Sequence, residues 1–460
     1  MPNPSPTPSI ELDQRTGITL AIADRAATLS FDDLPRDIVV RAQHCILDWC
    51  GVALAGAHEP LVQILVDDAI EQGGAPQATL VGRSERVSTQ QAALINGAAS
   101  HALDYDDVHA SFTGHTTVPL VAALLALGEQ RNASGQDILT AFVAGFETSC
   151  RIGTLLGTPH YDQGFHATAT VGSLGVAAAC ANLLKLDMNT TAHAIGIAAT
   201  EASGLKSMFG TMCKPMHAGM AAQRGLHAAS LASRGFIARP DALECTQGFA
   251  DTLAGAFNAE EAMADPEGGY FLLSNLFKFH AACYLTHAAI ESAVRLRTEH
   301  SLKLSNVASC TVRVNPASDK VCNITNPTTS LEAKFSLRFM TAWALNGADT
   351  AAITTYTDEA CSDPELMALR DRVQVEFESD LGRMESLVQV ETQNGETVEA
   401  RHDASIPIAD TAKQGARLMT KFLGLTQPIL DEGRAAGLAK SVETLSNSGC
   451  TVDVSVYLSR

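Results

Sequence analysis

Apolar residues recur at helical spacing from Thr16 to about Gly235, in one Ala-rich segment after another. Gly and Ser interrupt them where helices must stop or approach closely, and the pattern predicts an α-helical bundle. Helices are expected over 34–55, 61–72, 117–130, 168–186, 190–203 and 217–233. Ser88-Thr89-Gln90-Gln91 and Ser134-Gly135-Gln136-Asp137 each set a hydroxyl three residues ahead of a side-chain acceptor, just before an apolar run. These are two capped helix starts. The run VGSLGVAAACANLL is apolar on every side, so its helix belongs in the middle of the bundle.

Beyond about Asp265 the period falls to two. Cys310-Thr-Val-Arg-Val314, Val373-Gln-Val-Glu-Phe377 and Leu387-Val-Gln-Val-Glu391 read as strands. Gln393-Asn394-Gly395-Glu396 lies between Val-rich runs, which predicts an antiparallel hairpin over 386–402 closed by a type I′ turn. Helical stretches at 287–299 and 335–345 make this an α+β domain. The runs 411–423 and 429–438 are helical again and suit a return to the first domain. The expected fold is mainly α: a large all-helical bundle domain over 1–265, an inserted α+β domain over 266–407, and a C-terminal segment, 408–460, that rejoins the bundle.

Composition narrows the partners. The 460 residues are 46% hydrophobic and 18% charged, which is the balance of a globular chain with a large core. Lys and Arg number 32 against 51 Asp and Glu, leaving −19, a charge that repels phosphate backbones and anionic lipid. No nucleic acid and no membrane is expected as a partner. The longest apolar stretch, about Val118 to Leu127, is shorter than a bilayer span. The opening MPNPSPTPSIELD lacks a basic segment followed by an apolar one, so no secretion signal is expected and its prolines favour an extended tail. Eleven cysteines without a C-x-x-C pair read as reduced thiols of a cytoplasmic protein.

The densest chemistry lies in His101-Ala-Leu-Asp104-Tyr105-Asp106-Asp107-Val-His109, followed by Gly114-His115-Thr116-Thr117. Neighbouring carboxylates raise one another's pKa and orient imidazoles, so the cluster can supply an acid or base near neutrality. The same residues also read as a solvated Asp-rich loop, or as a transition-metal site of His101, Asp104, His109 and His115. A calcium loop fails, because counting from Asp104 puts Val108 and His115 at ligand positions 5 and 12. Lys206, Lys214, His217 and Arg224 form a basic group in an acidic chain. With Pro215 in a first helical turn, Lys214 and His217 sit where the macrodipole favours a carboxylate. The plain alternative is ordinary surface lysines. His166, His280 and His287 read more readily as hydrogen-bonded core histidines when each is taken alone. Ser203-Gly-Leu-Lys206 matches S-x-x-K but lacks the partner motifs of serine acyl-transferases. With no G-x-G-x-x-G, P-loop, G-x-S-x-G or H-E-x-x-H, no nucleotide cofactor is expected.

Taken in order, NGAASHALDYDDVH with GHTTVP, GFHATATVGSLGVAAA, FGTMCKPMHAGMAAQRGLHAASLASRGF, THAAIESA and NPTTSLEAKFSLRF resemble the MmgE/PrpD family over about residues 20–440. That family includes 2-methylcitrate dehydratase, cis-aconitate decarboxylase and iminodisuccinate epimerase, which share a cofactor-free proton transfer at a carbon next to a carboxylate. The resemblance implies a helical domain completed by C-terminal helices, an inserted α+β lid, and a pocket built from Asp104, His115, His166, Lys214 with His217, and His287. Val108 stands where the decarboxylase has Thr, and Val321-Cys322-Asn323 offers no Tyr where that enzyme has one. The resulting expectation is a cofactor-free lyase of the 2-methylcitrate dehydratase type, with a small di- or tricarboxylate as its ligand and a homodimer as is usual in the family. Lys206, Lys214, His217 and Arg224 would hold carboxylates. His115, oriented by Asp104, would move the proton, and His166 and His287 would serve as acid for a leaving hydroxyl or as further donors to carboxylate. An epimerase, a decarboxylase, a metal-dependent hydrolase and a non-catalytic helical scaffold are the alternatives.

Overall fold

The computed structural model describes residues 17–450 and 452–459; the proline-rich opening falls outside them. Contacts divide the chain into two units: 1–102, 108–275 and 431–460 in the first, 103–107 and 276–430 in the second. The expected borders were 265/266 and 407/408, whereas the chain changes units at 275/276 and 430/431.

In the first unit both capped starts form. Ser88 and Ser134 accept from the backbone N–H of Gln91 and Asp137, whose side chains reach back to the cap. The helices Thr89–His101 and Gly135–Asp162 start there, joined by Arg36–Gly56, Pro60–Gln72, Thr117–Arg131, Met188–Glu201 and Cys213–Ala232. Every residue of Thr170–Leu183 is buried, the central helix that its all-round apolarity implied. Arg36–Gly56 meets the length and hydropathy of a bilayer span, longer than the Val118 to Leu127 run singled out above, yet 78% of that window is buried inside the protein. The return to this unit is made by Glu432–Glu443, where Gln43 Nε2 donates to Glu443 O at 2.7 Å.

The second unit is a four-stranded sheet. Val307–Val314 pairs in parallel with Val373–Phe377 on one side and antiparallel with Glu385–Thr392 on the other, and Thr397–Asp403 completes the edge. The 386–402 hairpin holds, with Val388 opposite Ala400, but its turn differs from the expected type I′. Only Gly395 has positive φ, at 84°, and Gly395 N–H closes onto Thr392 O at 2.9 Å. This is a type I turn completed by one left-handed glycine, so Asn394 needs no positive φ. Tyr284–Glu299 packs on the hairpin strands, and Leu337–Leu345 packs beside it. Thr411–Thr426 belongs to this unit too, because buried Lys421 donates to Tyr105 O at 2.6 Å.

Candidate active site

The first unit gathers imidazoles by close helix packing. A Cβ on Gly97 would lie 2.7 Å from Gly219 Cα, so only glycines let Thr89–His101 and Cys213–Ala232 meet at this distance. That contact brings His101, at the end of one helix, and His217, in the first turns of the other, onto one side of the bundle. His115 is set by a turn closed by the His109 to Gly114 bridge, and its N–H donates to Thr168 Oγ1 at 3.0 Å. His166 is set by a short ladder: its N–H donates to Gly204 O at 3.0 Å, and Lys206 N–H donates to Gly164 O at 2.8 Å.

The rings of His101 and His115 lie 4.4 Å apart, and those of His101 and His166 6.1 Å apart. His166 Nδ1 and His217 Nδ1 are 3.1 Å apart, so one must donate and the other accept. Burial pushes His166 well below the usual imidazole range, and His101, Lys214, His115 and His217 push the same way. Burial, then His101, Arg224 and Lys214, bring His217 down to about 4. Both rings are therefore neutral near pH 7. An arriving anion reverses the sign of that field and favours their protonation, which is the behaviour of acids that charge when a carboxylate binds.

The basic group divides in its roles. Lys214 stands in the first turn of a 20-residue helix, with Nζ 5.4 Å from the centre of the Phe209 ring. Lys206 Nζ donates to Tyr161 O at 2.9 Å and sits 3.5 Å from that ring's centre, so its charge is engaged at the C-terminal end of Gly135–Asp162. Arg224 donates to Ser203 Oγ at 2.7 Å and lines an open cavity of ≈ 480 Å³ with Gln90, Glu201, Gln223 and His227. His109 leaves the metal reading suggested by its spacing: Nε2 bonds Phe271 O at 2.9 Å, and Nδ1 accepts from Ser111 N–H at 3.2 Å.

The second unit holds a different set of charges. Asp104 is left-handed, with φ of 50°, a conformation that Asp tolerates better than most residues. Lys278 Nζ donates to both Asp104 O, at 2.5 Å, and Asp104 Oδ1, at 3.0 Å, pinning that backbone. Burial opposes the Lys278 charge, but Asp104, Asp106 and Cys283 outweigh it and raise its pKa. Lys278, two residues before His280, has no role assigned to it in the sequence reading. Its sign in the sequence is a lysine between the apolar residues Leu276-Phe277 and Phe279. His280 bonds Thr350 Oγ1 at 2.8 Å and Glu291 at 3.3 Å, and Arg417 meets the same carboxylate at 2.6 Å. His287 Nε2 donates to Ala282 O at 3.3 Å, and its ring stacks 4.8 Å from Tyr284. Burial keeps His287 neutral, with His280 and Lys278 adding to the effect.

Comparison with known proteins decides the family. The MmgE/PrpD N-terminal domain matches residues 20–262 and the MmgE/PrpD C-terminal domain matches residues 280–447. The chain belongs to the MmgE/PrpD family. Among curated MmgE/PrpD relatives, cis-aconitate decarboxylase of Aspergillus terreus (strain NIH 2624 / FGSC A1156) is 27% identical over 95% of this chain and 94% of its own. Cis-aconitate decarboxylase of Mus musculus is 26% identical over 79% of this chain and 76% of its own. Mitochondrial 2-methylcitrate dehydratase of Yarrowia lipolytica is 26% identical over 72% of this chain and 67% of its own. These relatives are lyases, and this MmgE/PrpD chain is an enzyme of the lyase type.

Proposed function

We propose that this enzyme carries out proton transfer at the carbon next to a carboxylate of a small di- or tricarboxylate, without a cofactor, as a dehydratase of the 2-methylcitrate type. The observation that carries the reading is the hydrogen-bonded, neutral His166–His217 pair beside Lys214, in a chain of net charge −19. Lys214, His217 and the helix N-terminus hold substrate carboxylate. Neutralising that charge makes the α-proton more acidic, because its removal leaves an enolate-like state on the same group. His115 takes or returns the proton, and His166 protonates the leaving hydroxyl. Lys206 and Arg224 support this pocket in the reading by adding positive charge rather than direct contact. Asp104 and His287 enter through the family resemblance. The ligand is a small anion, and the assembly proposed is a homodimer in the cytoplasm.

A second reading, decarboxylation of a cis-aconitate-type acid, is favoured by the Aspergillus terreus decarboxylase, which aligns over 95% of this chain. Val108 and the absence of Tyr at 321–323 favour the first. Incubation with citrate, methylcitrate, aconitate and aspartate-derived acids separates them. An alkene formed with loss of water supports dehydration, and carbon dioxide release from cis-aconitate replaces that reading with the second. Stereochemical inversion without an alkene points to the epimerase alternative.

A further inference from the structure

The helix pair that meets at Gly97 and Gly219 also lines the open cavity of ≈ 480 Å³, a size within the range of small-molecule sites, about 300–1,000 Å³. Gln90 lies in the first turn of Thr89–His101, Glu201 ends Met188–Glu201, and Gln223, Arg224 and His227 lie along Cys213–Ala232. These five residues form its lining, and none of the four clustered imidazoles does. Among the described residues, the side-chain amides of Gln90 and Gln223 have no hydrogen-bond partner. Arg224 uses Nη1 on Ser203, at 2.7 Å to Oγ and 3.4 Å to O, which fixes the guanidinium while Nε and Nη2 have no partner among the described residues. Glu201 accepts no hydrogen bond among them either, with His227 Nδ1 3.6 Å from its Oε1. Burial lowers the Arg224 pKa and the Glu201 charge acts against it, yet the two side chains form no ion pair. One positive and one negative group therefore face the same cavity close to each other without touching.

We propose that this cavity is a second ligand site, which takes a small polar α-amino acid as its zwitterion. The ligand carboxylate pairs with Arg224 Nε and Nη2, whose planar fork matches it. The ligand ammonium pairs with Glu201, and the Gln90 and Gln223 amides hydrogen-bond the polar side chain. The charges of the lining select this class. A plain anion would meet the Glu201 carboxylate and a plain cation the Arg224 guanidinium, whereas a zwitterion offers each its opposite. The site lies beyond the proposed reaction and does not rest on it.

Calorimetry of the full chain with L-glutamine tests this without any turnover. The expected result is saturable binding with Kd below about 1 mM. Glutaramate, the same molecule without the ammonium, and 4-aminobutanamide, the same molecule without the carboxylate, should each bind about tenfold more weakly, the loss of one charge-assisted pairing. Glu201→Gln should remove the preference for L-glutamine over glutaramate, and Arg224→Met the preference over 4-aminobutanamide, a selective change that general damage to the fold would not produce. Lys214→Ala should bind L-glutamine as the unmutated protein does, which separates this cavity from the imidazole cluster. No saturation of the unmutated protein, or equal affinity for the three ligands, overturns the proposal. So does an affinity that Lys214→Ala weakens and Glu201→Gln leaves unchanged.

Discussion

The imidazole cluster of the first unit and Lys278 of the second are both buried, yet their charges fare in opposite ways. Among the described residues, the charges acting on His166 are those of His101, Lys214, His115 and His217, and those acting on His217 are those of His101, Arg224 and Lys214, so desolvation and like charge add and both rings stay unprotonated. Lys278 is 3% exposed in its side chain, yet it stays charged because carboxylates face it. Burial therefore does not decide protonation; the sign of the nearest partner does. One region is ready to gain a proton when an anion arrives, and the other holds a fixed charge that keeps a left-handed loop residue in place.

The largest effect should come from the first region. His115→Gln should cut turnover and solvent deuterium exchange about 10²- to 10⁴-fold, the contribution of a positioned acid or base. Binding of an unreactive tricarboxylate, followed by calorimetry, should survive within about threefold by the same reasoning, because Lys214 and His217 hold the carboxylate. In the second region, Lys278→Met leaves the Asp104 carboxylate without its ammonium partner. The loss should be about 2–3 kcal/mol in urea unfolding, below the range for a fully buried pair because Asp104 is 31% exposed. Adding Asp104→Asn should recover part of that loss, and no recovery would mean that Lys278 stabilises through packing alone.

Lys214→Ala should lower kcat/KM by about 1.5–2 kcal/mol, one charge-assisted hydrogen bond, while urea unfolding changes by less than about 0.5 kcal/mol. An unchanged kcat/KM would reduce the basic group to surface charge. The neutral histidines give a pH signature. The unfolded chain binds His217's proton near 6.5, but the fold resists it down to about 4. This stability is complete above 6.5 and is lost as pH falls from 6.5 towards 4, at up to about 1.4 kcal/mol per pH unit. Urea midpoints should therefore fall less steeply with acid in His217→Gln than in the unmutated protein. Equal slopes would show that the ring is already charged in the fold. Chelation with EDTA should leave turnover unchanged; recovery only with added divalent metal would return the Asp/His cluster to the metal reading.

Much of the fold is local and could be read locally. Capping boxes at Ser88 and Ser134, the all-round apolarity of 170–183 and the alternation of 386–402 each need only a few adjacent residues. What escaped depends on distance in the chain. Lys278 meets Asp104 across 174 residues, and Lys421 meets Tyr105 across 316, and no spacing rule connects such pairs. Both contacts lie within the second unit, which takes in 103–107 and Thr411–Thr426. The Asn-Gly turn misled because its loop has room for one left-handed residue rather than two. Within the site, clustering along the chain foretold His101 and His115, but the contact of His166 with His217 joins residues 51 apart, with Gly204 set between Ala169 and the His217 ring.

The central claim is proton transfer beside a carboxylate, and proton NMR of the unmutated enzyme with methylcitrate in deuterium oxide tests it most directly. The account predicts alkene signals from the dehydrated acid, together with enzyme-dependent entry of deuterium at the carbon next to a carboxylate. Consumption of the acid with neither alkene nor deuterium at that carbon would contradict it.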